Sequence, residues 1–510
     1  MCTFALNMKK INYLIETLLS KGIAIFAIFF LMSLVSCDDT DNQNSTRPVV
    51  IDDGGEKEKE QEEEEEEEEP EEEKELLAGT YIAESDIPDM IYILPAPPSM
   101  EDADFVDDQV QWEWGKSQRE SFRGLMAMTR MGRTVSVMSD AMAWELSLST
   151  ISDIGTPALS RLLSNAFRTG QIVAETAKQK FQRQRPFVQM GESPWYEEDL
   201  NNTDSSYPSV TTAAGWAVAL VFAEMWPPLQ DDILRLGFLF GEDRVISGSN
   251  YQSDVYSGYL CASAAIAQAH NYSAFKQDLI DAREEYRKLK GLAASYDPTA
   301  DSAQPMGSNI LNPPVSTTDE RYQADLKRYE YAKTFRGTPR GEQAIADADT
   351  DSENLWKIYG EALGISVSPS NTPAICNLIE MIYPQSVSIS HQLKAMYFRA
   401  RPYVELQETT PVPWFEDDER ASSSYASGHA CLSWALSLSL AEVAPSQQNQ
   451  LLRRAYDFGY NRQIIGYHWA TDIDAGRLLG CVLIAYLHTK ADYCNQIKLA
   501  HREYRKKAGK

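Results

Sequence analysis

From Ser423 to Val443 the chain reads SSYASGHACLSWALSLSLAEV, and from Ser205 to Met225 it reads SSYPSVTTAAGWAVALVFAEM. Each stretch opens on small polar residues and runs into a block of Ala, Leu and Val of helical length, rich in good helix formers. The two stretches are one pattern written twice, 218 residues apart.

The likeness spreads outward from there. Thr156-Pro157-Ala158-Leu159 returns as Thr372-Pro373-Ala374-Ile375, and KQKFQRQRPF from Lys178 returns as KAMYFRARPY from Lys394. ESPWYEEDL returns as VPWFEDDER, and EDRVISGSNYQSDVY (242–256) as YNRQIIGYHWATDID (460–474). The offset is 216 up to Arg185/Arg401 and 218 from Ser209/Ser427 through His270/His488, so the second copy has two extra residues in the loop between. ILPAPPS near Leu94 and ILNPPVS near Leu311 mark the start of each unit. A period this long means tandem domains, not a solenoid. LLRRAYDFGYNRQIIG and GRLLGCVLIAYLH also read as helix, and no run alternates with period two between turn signals. The expected fold is all-α: two tandem helical bundles, 77–292 and 293–510, joined near YDPTADSAQPMGSNILNPP.

Ahead of the repeat the composition changes. The chain has 510 residues and a net charge of −28, but Cys37 to Leu76 alone holds 20 acidic and 4 basic residues. The remainder is mildly acidic, which argues against nucleic acid as a partner. Residues 38–76 cannot bury apolar area and repel themselves, so they read as a disordered acidic linker. Residues 1–37 read as a lipoprotein signal peptide. Lys9 and Lys10 precede a short apolar run, and Leu34-Val35-Ser36-Cys37 resembles a bacterial lipobox. Lipidation of Cys37 would anchor the chain to a membrane as an outer-membrane lipoprotein of the bacterial envelope, periplasmic or surface-exposed. No later stretch is long and apolar enough to span a bilayer. Cys261, Cys376, Cys431, Cys481 and Cys494 fall in no metal-binding spacing.

The candidate chemistry lies in the second copy. Lys394 and Arg401 are seven apart, two helical turns, with Pro402 expected to end the helix at Arg401. Ser427 stands near the start of a helix, where unpaired N–H groups and the dipole favour an anion; Gly428 admits close approach, and His429 follows. Arg462, His468 and Asp472 come next. At i,i+4 on a helix, Asp472 would accept a hydrogen bond from one nitrogen of His468 and free the other to attack. Three cations, a helix N-terminus, two histidines and a carboxylate are the parts of a metal-free phosphoryl-transfer site.

KAMYFRARP, ASGH and RQIIGYHWATD resemble, in order and spacing, the three motifs of the type 2 phosphatidic acid phosphatase and vanadium haloperoxidase superfamily, K-x6-RP, PSGH and SR-x5-H-x3-D. The surrounding YFRARPY, SSYASGHA and GYHWATDIDAG look closest to the bacterial class A non-specific acid phosphatases. The resemblance implies an acid phosphatase that hydrolyses small phosphomonoesters without a metal or other cofactor. His468 would be the nucleophile and form a phosphohistidine, Asp472 would orient it, and His429 would act as acid and then base. Lys394, Arg401, Arg462, Ser427 and Gly428 would hold the phosphate. Vanadate would inhibit such a site. Two alternatives are a haloperoxidase that uses vanadate as cofactor and a lipoprotein that binds phosphorylated ligands with little turnover. Ala426 and Asn461 depart from the motif proline and serine.

The first copy keeps Lys178, Arg185, Ser209, Arg244 and Asp254, but has Val210, Thr211 and Asn250 where the second has Gly428, His429 and His468. It is expected to be a degenerate site without this chemistry. Its expected role is that of the second half of an intramolecular pseudo-dimer, with a retained phosphate-holding role as the alternative.

Overall fold

Among the described residues, eight helices longer than a single turn follow one another in each copy, and they correspond pairwise, with first residues 216 to 218 apart. In the first copy they are α1 (Phe105–Gln118), α2 (Phe122–Thr129), α3 (Val135–Glu145), α4 (Pro157–Lys178), α5 (Val210–Met225), α6 (Gln230–Ser247), α7 (Gln252–Ala269) and α8 (Ser273–Leu289). In the second they are α9 (Tyr322–Lys333), α10 (Pro339–Ala346), α11 (Ser352–Leu363), α12 (Pro373–Met396), α13 (Gly428–Val443), α14 (Gln448–Ile464), α15 (Ala470–Leu487) and α16 (Ala491–Ala508). This computed structural model describes residues 74–199 and 204–509 and contains no strand among them. The signal segment, Cys37 and nearly all of the acidic linker lie outside the described residues. Among the described residues no helix is long and apolar enough to cross a membrane.

The stretches that open the sequence analysis become the centres of the two bundles. Every residue of α5 from Thr212 and of α13 from Ala430 to its end is buried. A helix apolar on all sides must be surrounded, and α5 packs against α4, α6 and α7 as α13 does against α12, α14 and α15. Capping follows from the sequence. Ser209 and Ser427 accept hydrogen bonds from the N–H groups of Thr212 and Ala430, and Pro157 and Pro373 each stand at the first helical position.

Residues 75–510 form a single unit, and one apolar core runs through both copies. Contacts between the copies come in matched pairs. Helix α5 meets α15 as α13 meets α7, and the turn Met90–Ile93 docks on α14 as Gly307–Ile310 docks on α6. Where corresponding elements meet, the imidazoles of His270 and His488 stack at 3.4 Å with 5° between their planes. Each ring nitrogen engages a glutamate of its own copy, Glu224 at 3.2 Å and Glu442 at 2.9 Å. Glu224, His270 and His488 bring ligand-type atoms within 4.8 Å of one another. Imidazole lone pairs lie in the ring plane, however, so face-to-face rings aim them side by side and not at one ion. Cys261, Cys376, Cys431 and Cys481 are buried free thiols, and Cys494 is a half-buried one.

Candidate active site

In the second copy a cavity of about 350 Å³ is lined by Lys394, Arg401, Gly428, His429, Arg462 and His468, with Glu419 and Tyr467 beside them. Three separate stretches of sequence converge here, and the reason is local. The backbone after α12 is extended and pairs with the segment ahead of α13: Ser424 N–H donates to Arg399 O at 2.9 Å, and Arg399 N–H donates to Ser423 Oγ at 3.1 Å. Ser427 N–H donates to Asp472 O at 2.9 Å, which ties the start of α13 to the start of α15. Gly476 makes that approach feasible, because a Cβ there would lie 2.4 Å from Ser427 O. The peptide bond before Ala426 is cis, as is the one before Pro208.

Two helical expectations are corrected. Helix α12 ends at Met396, so Arg401 reaches Lys394 through the extended segment and not along one helix face. Likewise His468 precedes α15, whose first residue is Ala470, so His468 and Asp472 are not one turn apart on a helix. The imidazole is held differently: Nδ1 lies 2.8 Å from Ser424 O, which assigns the proton to Nδ1, while Asp472 stands 3.8 Å away. The Asp472 carboxylate is engaged elsewhere. It accepts from Trp469 N–H at 2.9 Å, closing the N-terminal cap of α15, and from Arg399 at 2.6 Å. Asp472 therefore positions the backbone and lends charge, and a carbonyl sets the tautomer.

With Nδ1–H donated, the lone pair of His468 Nε2 faces Arg401, whose guanidinium nitrogen is 3.2 Å away. Burial, then Arg401, Lys394 and Arg462, hold the His468 pKa well below that of an ordinary imidazole. His429, on the same cavity, is lowered by burial, then by Arg462 and His468; its Nε2 lies 3.2 Å from Ala348 O. Burial and Arg401 push Lys394 down to about 8, and burial and Arg401 push Arg462 down to about 10. Arg462 is 3% exposed and its Nε has no hydrogen-bond partner among the described residues. These are cations crowded together short of anions, the condition that draws in a phosphate dianion. Ser427 is the exception among the expected phosphate holders: it is fully buried, and its hydroxyl serves the cap of α13.

Two participants were not singled out in the sequence. Arg399 is buried and bridges Asp472 and Asp325 at 2.6 Å each. Its signal was available: Arg183 recurs at the same place in the first copy, bridging Asp254 and Asp108. Glu419 pairs with the same Arg401 that would hold phosphate, and accepts from Ser422 at 2.6 Å. Burial works against its charge, but Arg401 and Ser422 prevail and draw its pKa to about 2. Nothing in an acidic surface loop marked it out.

In the first copy, Lys178, Arg185, Val210, Thr211 and Asn250 line a separate cavity of about 680 Å³. Ser209 caps α5 and Asp254 binds Arg183. Arg244 does not line this cavity: it donates to the carbonyls of Met131 and Arg130 at 2.8 and 3.0 Å, while its Nε has no hydrogen-bond partner among the described residues.

A family profile described as the PAP2 superfamily matches residues 159–278 and again 375–496. The chain is 35% identical over 180 residues to a non-specific acid phosphatase of Salmonella typhimurium, covering 35% of this chain and 72% of that protein. It is 32% identical over 198 residues to a non-specific acid phosphatase of Providencia stuartii, covering 39% and 80%. An acid phosphatase of Zymomonas mobilis is 32% identical over 198 residues, covering 38% and 74%. With the motif residues gathered on one cavity, the family's pattern matched twice and these relatives alongside, the chain belongs to the PAP2 superfamily, in tandem duplicate and close to the class A non-specific acid phosphatases.

Proposed function

We propose that this chain, a phosphatase of the PAP2 type, hydrolyses small phosphomonoesters at its second copy, without a metal, through a phosphohistidine on His468. The observation that carries the reading is the fixed tautomer of His468, with Nδ1 on Ser424 O and Nε2 facing Arg401 on a cavity shared with Lys394 and Arg462. Nε2 attacks phosphorus, the P–O ester bond breaks, and His429, protonated once the substrate's dianion offsets the neighbouring cations, gives its proton to the leaving oxygen. Neutral His429 then takes a proton from water, whose oxygen attacks the phosphohistidine; the P–N bond breaks and phosphate leaves. Lys394, Arg401 and Arg462 meet the charge on the non-bridging oxygens. The active relatives support this reading, as does the absence of both histidines from the first copy.

Vanadate, as a mimic of the phosphorus centre, is expected to inhibit. The first copy stands where a second subunit would, a reading supported by the paired contacts between copies. A lipid on Cys37 would place the enzyme on the outer membrane of a bacterial envelope, a reading supported by the lipobox-like LVSC. The test is rapid quench of the purified chain with a phosphorus-labelled monoester in EDTA. Acid-labile, base-stable label on His468, absent from His468→Ala, is expected. Loss of turnover in EDTA with recovery on adding metal would overturn the mechanism.

A further inference from the structure

The cavity of the first copy is larger than the catalytic one and differs from it in a consistent direction. Arg185 is 4% exposed and spends one nitrogen on Ser249 O at 2.8 Å, yet its Nε has no hydrogen-bond partner among the described residues. Its counterpart Arg401 has Nε on Glu419 O at 3.0 Å and a further nitrogen on the Glu419 carboxylate and Ser422. Thus Arg185 is less satisfied than Arg401; Asp254 and Asp204 are the carboxylates that act on it, and a bound anion would complete it. Lys178 stands on the same cavity, lowered to about 8 by burial and then by Arg185.

The replacements around these cations preserve a binding surface. Asn250 Nδ2 donates to Ser206 O at 2.7 Å, the bond that His468 Nδ1 makes to Ser424 O. Thr211 brings a hydroxyl in place of an imidazole. Val210 replaces Gly428, where an added Cβ would meet Ser390 Oγ at 3.2 Å. The first copy has Ala174 in place of Ser390, which removes that hydroxyl and lets the helix start keep its position. The rim changes character altogether. Gln171, Gln179, Gln182 and Gln184 line the first cavity, where the second copy has Val387, Ala395, Phe398 and Ala400. Four primary amides offer donors and acceptors suited to hydroxyl groups.

We propose that the first copy is a second binding site, without turnover, for a phosphate monoester whose organic part carries several hydroxyl groups, its phosphate held by Lys178, Arg185 and the N-terminus of α5 and its hydroxyls by the glutamines. At those four positions the second copy has no amide, and of the four only Val387 lines the catalytic cavity.

The test uses the full chain with His468→Ala, so that no probe is consumed. Calorimetric titration with inorganic phosphate is expected to give two sites per chain. Adding Lys178→Gln should weaken one site at least tenfold and leave the other, which also shows that the chain is folded. Glucose 6-phosphate should bind the first-copy site about tenfold more tightly than phosphate does, and Gln182→Phe should reduce that preference. A single phosphate site, or two sites indifferent to Lys178→Gln, would overturn the proposal. Glucose 6-phosphate binding no tighter than phosphate would overturn its ligand class.

Discussion

Replacing Arg399 by methionine should both weaken the fold and slow the enzyme, whereas the same change at Arg183 should only weaken the fold. Arg399 is buried between two carboxylates with no solvent exposure, Asp325 and Asp472, at 2.6 Å each. Without the guanidinium, Asp472 keeps the Trp469 N–H at 2.9 Å, and Asp325 keeps the Thr471 N–H at 3.1 Å. Neither carboxylate then has a charged partner in that bridge. Breaking a buried pair on one side costs about 3–5 kcal/mol. For a unit the size of residues 75–510 that unfolds as one, an unfolding entropy of about 2.1 cal/mol/K per residue turns this into a fall of about 3–6 °C in Tm. Arg183 bridges Asp108 and Asp254 at 2.5 and 2.6 Å, so its loss should cost the same. The rates should separate the two. Asp472 lies 3.8 Å from His468 and its backbone carbonyl holds Ser427, so its displacement should lower the single-turnover rate by about 10–100-fold. Arg183→Met should stay within about twofold of the parent. Calorimetric melting and single-turnover kinetics well below both transitions measure these effects. Equal loss of rate in the two variants, or a parental Tm for Arg399→Met, would refute the reasoning.

His468→Ala should abolish turnover of p-nitrophenyl phosphate, and Asn250→His in that background should not restore it, since Thr211 supplies no acid; steady-state rates of both variants decide this. The KM for substrate should climb as pH passes about 8, where Lys394 loses its proton: its pKa is depressed, so its charge is present below that value and lost above it. In Lys394→Arg the rise should be absent from a KM–pH profile. Glu419→Gln should lower the inhibition constant of inorganic phosphate about fivefold. It removes a competing carboxylate from Arg401, and ~1 kcal/mol is what a side chain 39% exposed leaves after solvent screening.

How much of this was legible in the sequence depended on whether a signal was local. Buried α5 and α13 announce themselves by composition, and the repeat supplied the pairing of the helices from α4 and α12 onward, while the pairing of α1–α3 with α9–α11 came from the structure. The cluster of Lys394, Arg401, His429, Arg462 and His468 was readable because side chains spaced along the chain share one cavity. Hydrogen-bond partners were not readable. The acceptor that fixes His468 is a backbone carbonyl 44 residues away, and no side-chain pattern records a carbonyl. The helix ends were misplaced for a related reason. Residues 397–401 leave helix because they pair with 423–424, a long-range preference that overrides the local spacing of Lys394 and Arg401. Arg244 shows the opposite failure, a residue retained at the right position that stands off the cavity, with two of its nitrogens on neighbouring carbonyls.

The stacked pair His270 and His488 has a consequence for how such a molecule can change over time. In an assembly of two identical chains, a residue on the symmetry axis meets its own copy, and any substitution there happens to both partners at once. Here the two positions belong to one gene and vary separately. The same freedom extends to the cavities: one half can shed its nucleophile and reline its rim while the other keeps working, because neither change is forced on its twin. Two halves carried on one chain can thus specialise separately, with the shared core as the constraint they hold in common.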